Sequence, residues 1–140
     1  QMYRKILQQA PAQPECLLGL ARALLLQGKS VEAEGILSSF PASRQYAAAE
    51  ILLPLAQALV KDEAGGPAGE SDLDLAFSRA LRLVRRGNHA AALDGLLDIL
   101  RANKRYADGL ARQAAVALIE LLGDDAQARA YRSELASILF

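Results

Sequence analysis

A chain of 140 residues is long enough to close one hydrophobic core of its own. Sixteen Lys and Arg residues offset sixteen Asp and Glu residues, which excludes the broad positive field of a general nucleic-acid binder. One cysteine excludes a disulfide framework within the chain and fits a reducing, cytoplasmic compartment, and no apolar run is long enough to cross a membrane. With 52% hydrophobic residues, mostly Leu and Ala, and few β-branched residues to favour strands, the expected class is all-α.

The chain opens on "MYRKILQQAP", which reads as a helix over about 2–9 with Tyr3, Ile6 and Leu7 on one side and no N-cap before it. A helix this short needs a partner to bury its apolar face, so the expectation is a fragment cut from a longer polypeptide. Next comes "CLLGLARALLLQGKSVEAEGIL". Its Gly-Lys-Ser also ends a phosphate-binding loop, but Ala23 stands where that motif places its first glycine, and no buried strand precedes it. Leu17, Leu20, Ala21, Leu24 and Leu25 instead paint one face of a helix. Gly28 suits the left-handed residue that closes a helix, and Ser30 is expected to cap the next, with Glu32 near the positive end of its dipole. The pattern predicts helices over 14–27 and 30–39.

A further helix is expected over about 43–62, capped by Ser43 and kinked or split at Pro54. "GGPAG" follows as a turn-rich connection, and Ser71 with Asp74 forms a capping-box start for a helix over 72–86. The remaining helices are expected over 89–101, 106–122 and 124–138. The segment "AFSRALRLVRRGNHAAALDGLLDIL" repeats the earlier hairpin, with Gly87 in the place of Gly28 and Ala92 in that of Ala33. Ala80, Leu83 and Leu96 likewise take the places of Ala21, Leu24 and Leu37, and Gly123 with Ala128 marks a third, more worn copy.

Paired helices with small residues at their crossings, and Pro11 at the end of a preceding unit, resemble tetratricopeptide repeats. Gly28 and Gly87 lie 59 residues apart, against about 34 for one such repeat, so one extra helix is inserted between the copies. The resemblance sharpens in "RYADGLARQAAVALIELLG" and "YRSELASILF". The chain is similar to the C-terminal tetratricopeptide region of bacterial thioredoxin-fold co-chaperones of the chaperedoxin (YbbN) type. Tyr106 takes the place of a common tryptophan, followed by Asp108, Gly109, Ala111 and Arg112; Tyr131, Arg132, Leu135, Ala136, Leu139 and Phe140 match the family's closing segment. The likeness implies one domain over 1–140, an α-α superhelix of antiparallel helix pairs with one inserted helix, lacking the thioredoxin-like domain that would precede it. It also implies a non-enzymatic module that binds protein clients, a chaperonin, or both, without a cofactor, nucleic acid or membrane.

Two surfaces are candidates for that binding. The first is the closing helix, with Tyr131, Arg132, Leu135, Leu139 and Phe140, where packing of Leu135, Ile138 and Leu139 on the preceding helix is the competing reading. The second is a repeat groove lined by Leu18, Arg22 and Leu26 in one unit and Phe77, Leu81 and Arg85 in the next, unless these bury against the inserted helix. Arg79, Arg82, Arg85 and Arg86 make a basic stripe, joined by Arg101, Lys104 and Arg105, that could grip acidic peptide or RNA phosphate. A solvated face balanced by Asp72, Asp74 and Asp94 weighs more, because no aromatic residues interleave. Cys16 near a helix start could exchange thiols with clients, but a half-buried packing residue is the stronger reading. His89, the single histidine, has no ligand-spaced Cys or carboxylate and is expected at a surface turn. No nucleophile–base set, carboxylate pair or metal cluster argues for catalysis. An oligomerisation or spacer arm is the other functional class that the apolar faces allow.

Overall fold

Local chemistry sets the ends of each helix. The computed structural model describes residues 13–65 and 71–140; the helix read over 2–9 and most of the turn over 65–69 lie outside the described residues. Seven helices occupy the described residues, with no strand among them: α1 (Pro14–Leu26), α2 (Ser30–Ser38), α3 (Tyr46–Glu63), α4 (Asp72–Arg85), α5 (His89–Ala102), α6 (Tyr106–Leu122) and α7 (Ala126–Leu139). Pro14 sits at the start of α1, where its missing N–H has no partner to lose. The all-α repeat architecture expected from the sequence is the one observed.

Two turns are built alike. Gly28 donates to the Leu25 carbonyl while Lys29 donates to that of Leu24; Gly87 donates to Val84 while Asn88 donates to Leu83. Both glycines have positive φ, 78° and 83°, the left-handed conformation that closes a helix with paired reverse hydrogen bonds. At Gly28 a second constraint acts, since a Cβ there would lie 2.4 Å from the Arg85 carbonyl oxygen. Ala33, Ala92 and Ala128, the equivalent positions in the three copies, are all fully buried. The capping box at Ser71 and Asp74 forms as the sequence implies.

Other ends depart from expectation. Ser30 is not a cap: it is already the first helical residue of α2, after Lys29, and its hydroxyl donates to the Gly28 carbonyl at 3.4 Å. Ser43 does not cap α3 either, because the helix starts at Tyr46 and the Ser43 hydroxyl donates to Pro41. Pro54 does not split α3, which runs through it without a break. A proline frees the carbonyl one turn earlier, here that of Glu50, an exposed residue where water can replace the lost donor. The start of α6 is not regular. Ala107, Asp108 and Gly109 have φ of 54°, 56° and 92°, a left-handed turn that costs a non-glycine residue about 1–2 kcal/mol. Tyr106 is anchored just before it: its ring packs edge-on to Phe77 with centroids 5.6 Å apart, and its hydroxyl donates to the Asp74 carboxylate.

The core runs through all seven helices, with the inserted helix inside it. Helix α3 packs mainly on α2 and α6 and also touches α1 and α4. Its Leu52, Leu55, Ala56 and Leu59 have no exposed surface. Opposite, α6 offers Ala111, Ala114, Ala115 and Ala117, all fully buried, and such small side chains let helix axes approach closely. Burying each such leucine contributes about 1.5–3 kcal/mol.

Candidate protein-binding surfaces

The residues read as a repeat groove do not form an open one. Phe77 and Leu81 are core residues, 8% and 3% exposed. Arg85 is drawn to Asp62 at the end of α3, 2.9 Å away. Arg22 ties α1 to α6, donating to the Glu120 carbonyl at 2.8 Å and facing its carboxylate at 3.5 Å. Leu18 packs partly buried against the core, and Leu26 alone of this set is exposed, at 41%. Packing inside the repeats is the physical reason: α4 lies mainly against α5 and α1 against α2, and Phe77 meets Tyr106 of α6, so the apolar face meant for a groove floor is consumed by the core.

The closing helix behaves differently along its length. The Tyr131 hydroxyl donates to Asp94 on α5 at 3.1 Å and reaches the Ala90 carbonyl at 3.3 Å. Burial and the Asp94 carboxylate hold its pKa above the usual value. Arg132 donates to the Gly123 carbonyl and pairs with Asp124, at 2.8 and 2.9 Å, which satisfies a carbonyl left over at the end of α6. Leu135 is buried and Leu139 partly so. Phe140 is 98% exposed. Between α6 and α7 lies a cavity of about 250 Å³ whose apolar lining includes Val116, Ile119, Leu135, Leu139 and Phe140, with Glu120 and Arg132 at its polar edge.

Val116 joins this cavity to another. A cleft of about 420 Å³ between α3 and α6 is lined by Ile51, Pro54 and Val116, with Glu50 and Arg112 supplying charge. Ile51 and Val116 are both more than a third exposed. Sequence reasoning missed these two residues. A signal was present: counting back from the closing glycine, Val116 takes the place of Ala21 and Ala80, which are buried. A bulky residue where the other copies keep a small buried one marks where the third copy turns a different face outward.

The remaining candidates carry less. The Cys16 thiol is half-buried and donates to the Gln13 side chain at 3.4 Å. His89 is not a plain surface residue: its Nε2 is buried without a hydrogen-bond partner among the described residues, and burial lowers its pKa. Among the described residues no cluster of His, Cys, Asp and Glu could hold a metal ion, and no helix is long and apolar enough to cross a membrane.

A tetratricopeptide repeat family model matches residues 55–140, and a second matches residues 1–53. Their boundary falls at Pro54, in the middle of α3, so one continuous helix serves both matched regions. No curated protein and no solved structure matches the chain. Tetratricopeptide repeats present helical surfaces to other proteins. With the glycine–alanine spacing present in three copies, two of them closing in the same turn, and two family matches that together span nearly all of it, the chain belongs to the tetratricopeptide repeat family and is a protein–protein interaction module.

Proposed function

We propose that this module is the partner-binding region of a cytoplasmic thioredoxin-fold co-chaperone, non-enzymatic in itself, which engages unfolding clients and a chaperonin through the α6–α7 face. The observation that carries the reading is Phe140, an almost fully exposed aromatic beside the apolar cavity of Val116, Ile119 and Leu139. Aromatic side chains next to a vacant apolar pocket are the usual anchors of protein contacts, and burying one contributes about 1.5–3 kcal/mol. The resemblance of the closing segment to the chaperedoxin type supplies the co-chaperone context.

Purified bacterial chaperonin and a chemically unfolded client, each immobilised in turn, test this against the whole chain and Leu139→Ser/Phe140→Ser. Binding of the whole chain and its loss in the variant, with far-ultraviolet dichroism unchanged, is the expected result. Equal binding by both would remove the α7 anchor, and no binding by either would remove the co-chaperone reading. The exposed Ile51, Val116 and Phe140 also favour a second reading, in which copies of the chain pair through this face as an oligomerisation arm. A constant monomer mass by light scattering over a wide concentration range would dismiss it.

A further inference from the structure

The basic stripe on α4 reads differently once its neighbours are in place. Arg85 leaves it for Asp62. Two of the three carboxylates expected to neutralise the rest are engaged elsewhere: Asp74 accepts from Tyr106 and from the Ser71 backbone, and Asp94 accepts from Tyr131, which leaves Asp72 facing Arg79 across the groove rim. Asp98 pairs with Arg101 at 2.7 Å. Arg79, Arg82 and Arg86 are exposed and make no ion pair among the described residues. With the exposed Leu75 they recur at i, i+4, i+7 and i+11, a single stripe along the outside of α4.

A groove of about 330 Å³ runs beside this stripe, between α4 and α5. Its floor is Leu73, Ala76, Ala80, Leu83, Gly95 and Ile99, and Arg79 stands on its rim with Asp72 and Asp98. Gly95 deepens the floor without a packing need, because a Cβ there would meet Ala80 only at an ordinary 3.8 Å. Glycine inside a helix weakens it relative to alanine, so the residue gives depth at some expense of stability.

We propose that this groove docks an acidic, amphipathic segment of a partner protein, with its apolar side chains on the Leu73–Leu83 floor and its carboxylates against Arg79, Arg82 and Arg86. The occupant follows from charge complementarity. Asp98 is neutralised by Arg101, so Arg79, Arg82 and Arg86 outnumber the unpaired Asp72 and leave a local positive field that attracts and orients negative charge. Nucleic acid fits less well, since no aromatic side chain lines the groove to stack a base. This face is separate from the α6–α7 surface and stands independently of the co-chaperone reading.

The test uses a fluorescein-labelled amphipathic peptide of Leu, Ala and Glu, its Lys-for-Glu counterpart, and single-stranded RNA, all followed by anisotropy with the whole chain. The acidic peptide alone should bind, and Arg79→Gln/Arg82→Gln/Arg86→Gln should weaken it by about tenfold. Methyl NMR on the unaltered chain should show the peptide shifting Leu73, Leu83 and Ile99, a readout that does not depend on any variant folding. Failure of the acidic peptide to bind, equal binding by the basic one, or shifts confined to other methyls would overturn the proposal. RNA binding that depends on the same arginines would reassign the site to nucleic acid. A doubled mass lost in the triple variant would reassign it to a contact between copies of this chain.

Discussion

Helices α3 and α7 both carry Leu, Ile and Ala at helical spacing, with more polar and charged residues between them in α7, and the fold treats them oppositely. Helix α3 buries Ala49, Leu52, Leu55, Ala56, Ala58 and Leu59. Helix α7 buries only Ala128 and Leu135 and rests on α5 and α6. Spacing makes both amphipathic; the number of neighbouring helices decides how much of each is covered. A helix surrounded by the fold contributes stability, and one that touches it on a single side retains apolar surface for a partner.

The contrast can be broken most directly at Leu55. Leu55→Ala leaves a cavity at a fully buried position of α3, and a loss of about 2–5 kcal/mol is expected in equilibrium denaturant unfolding. A loss below about 1 kcal/mol would mean that α3 is peripheral after all. The turns should divide in the same way. Gly28→Ala forces a side chain into positive φ and against the Arg85 carbonyl, whereas Gly87→Ala meets nothing within 4 Å. Both lose stability, Gly87→Ala by about 1 kcal/mol and Gly28→Ala by more; equal losses would show that the approach of α4 to that turn is loose.

Smaller effects are expected where a single polar contact is removed. Tyr106→Phe keeps the edge-on packing on Phe77 and deletes the hydrogen bond to Asp74, for a loss of about 1 kcal/mol in the same unfolding measurement. At His89, burial disfavours the charged imidazole, so the folded pKa lies below the ordinary 6.5. Between those two values the unfolded chain binds more protons, and stability therefore falls as pH drops through 6.5. His89→Gln should flatten that part of a pH series, and an unchanged slope would show that His89 is not its source. Smallest of all is Phe140→Ser, which removes an exposed ring and should change stability by no more than about 0.5 kcal/mol.

Features written within a few residues of sequence were legible. The capping box needs only Ser71 and Asp74, three positions apart, and the closing glycines need only the helix before them. Ser30 and Ser43 were misread because a serine caps a helix only if the incoming backbone enters at the right angle, which the preceding turn dictates. The left-handed turn at Ala107 and Asp108 had no residue signal beyond Gly109. Phe77, Leu81 and Arg85 failed as a groove for another reason: helical spacing tells which face is apolar, while the partners of that face lie far along the chain, as with Asp62 for Arg85.

The sequence by itself determined the helices, their order, the repeated glycine–alanine turns and the inserted helix, because each follows from propensity, spacing and capping over one or two turns. Tertiary structure decided the rest. It placed α3 inside the core, engaged Arg22 and Arg85 as ties between helices, and left Ile51, Val116, Phe140 and the Arg79–Arg86 stripe outward. Those outcomes depend on which helices touch, and contact between distant segments is set by the assembled core, where each apolar face is buried only if another reaches it.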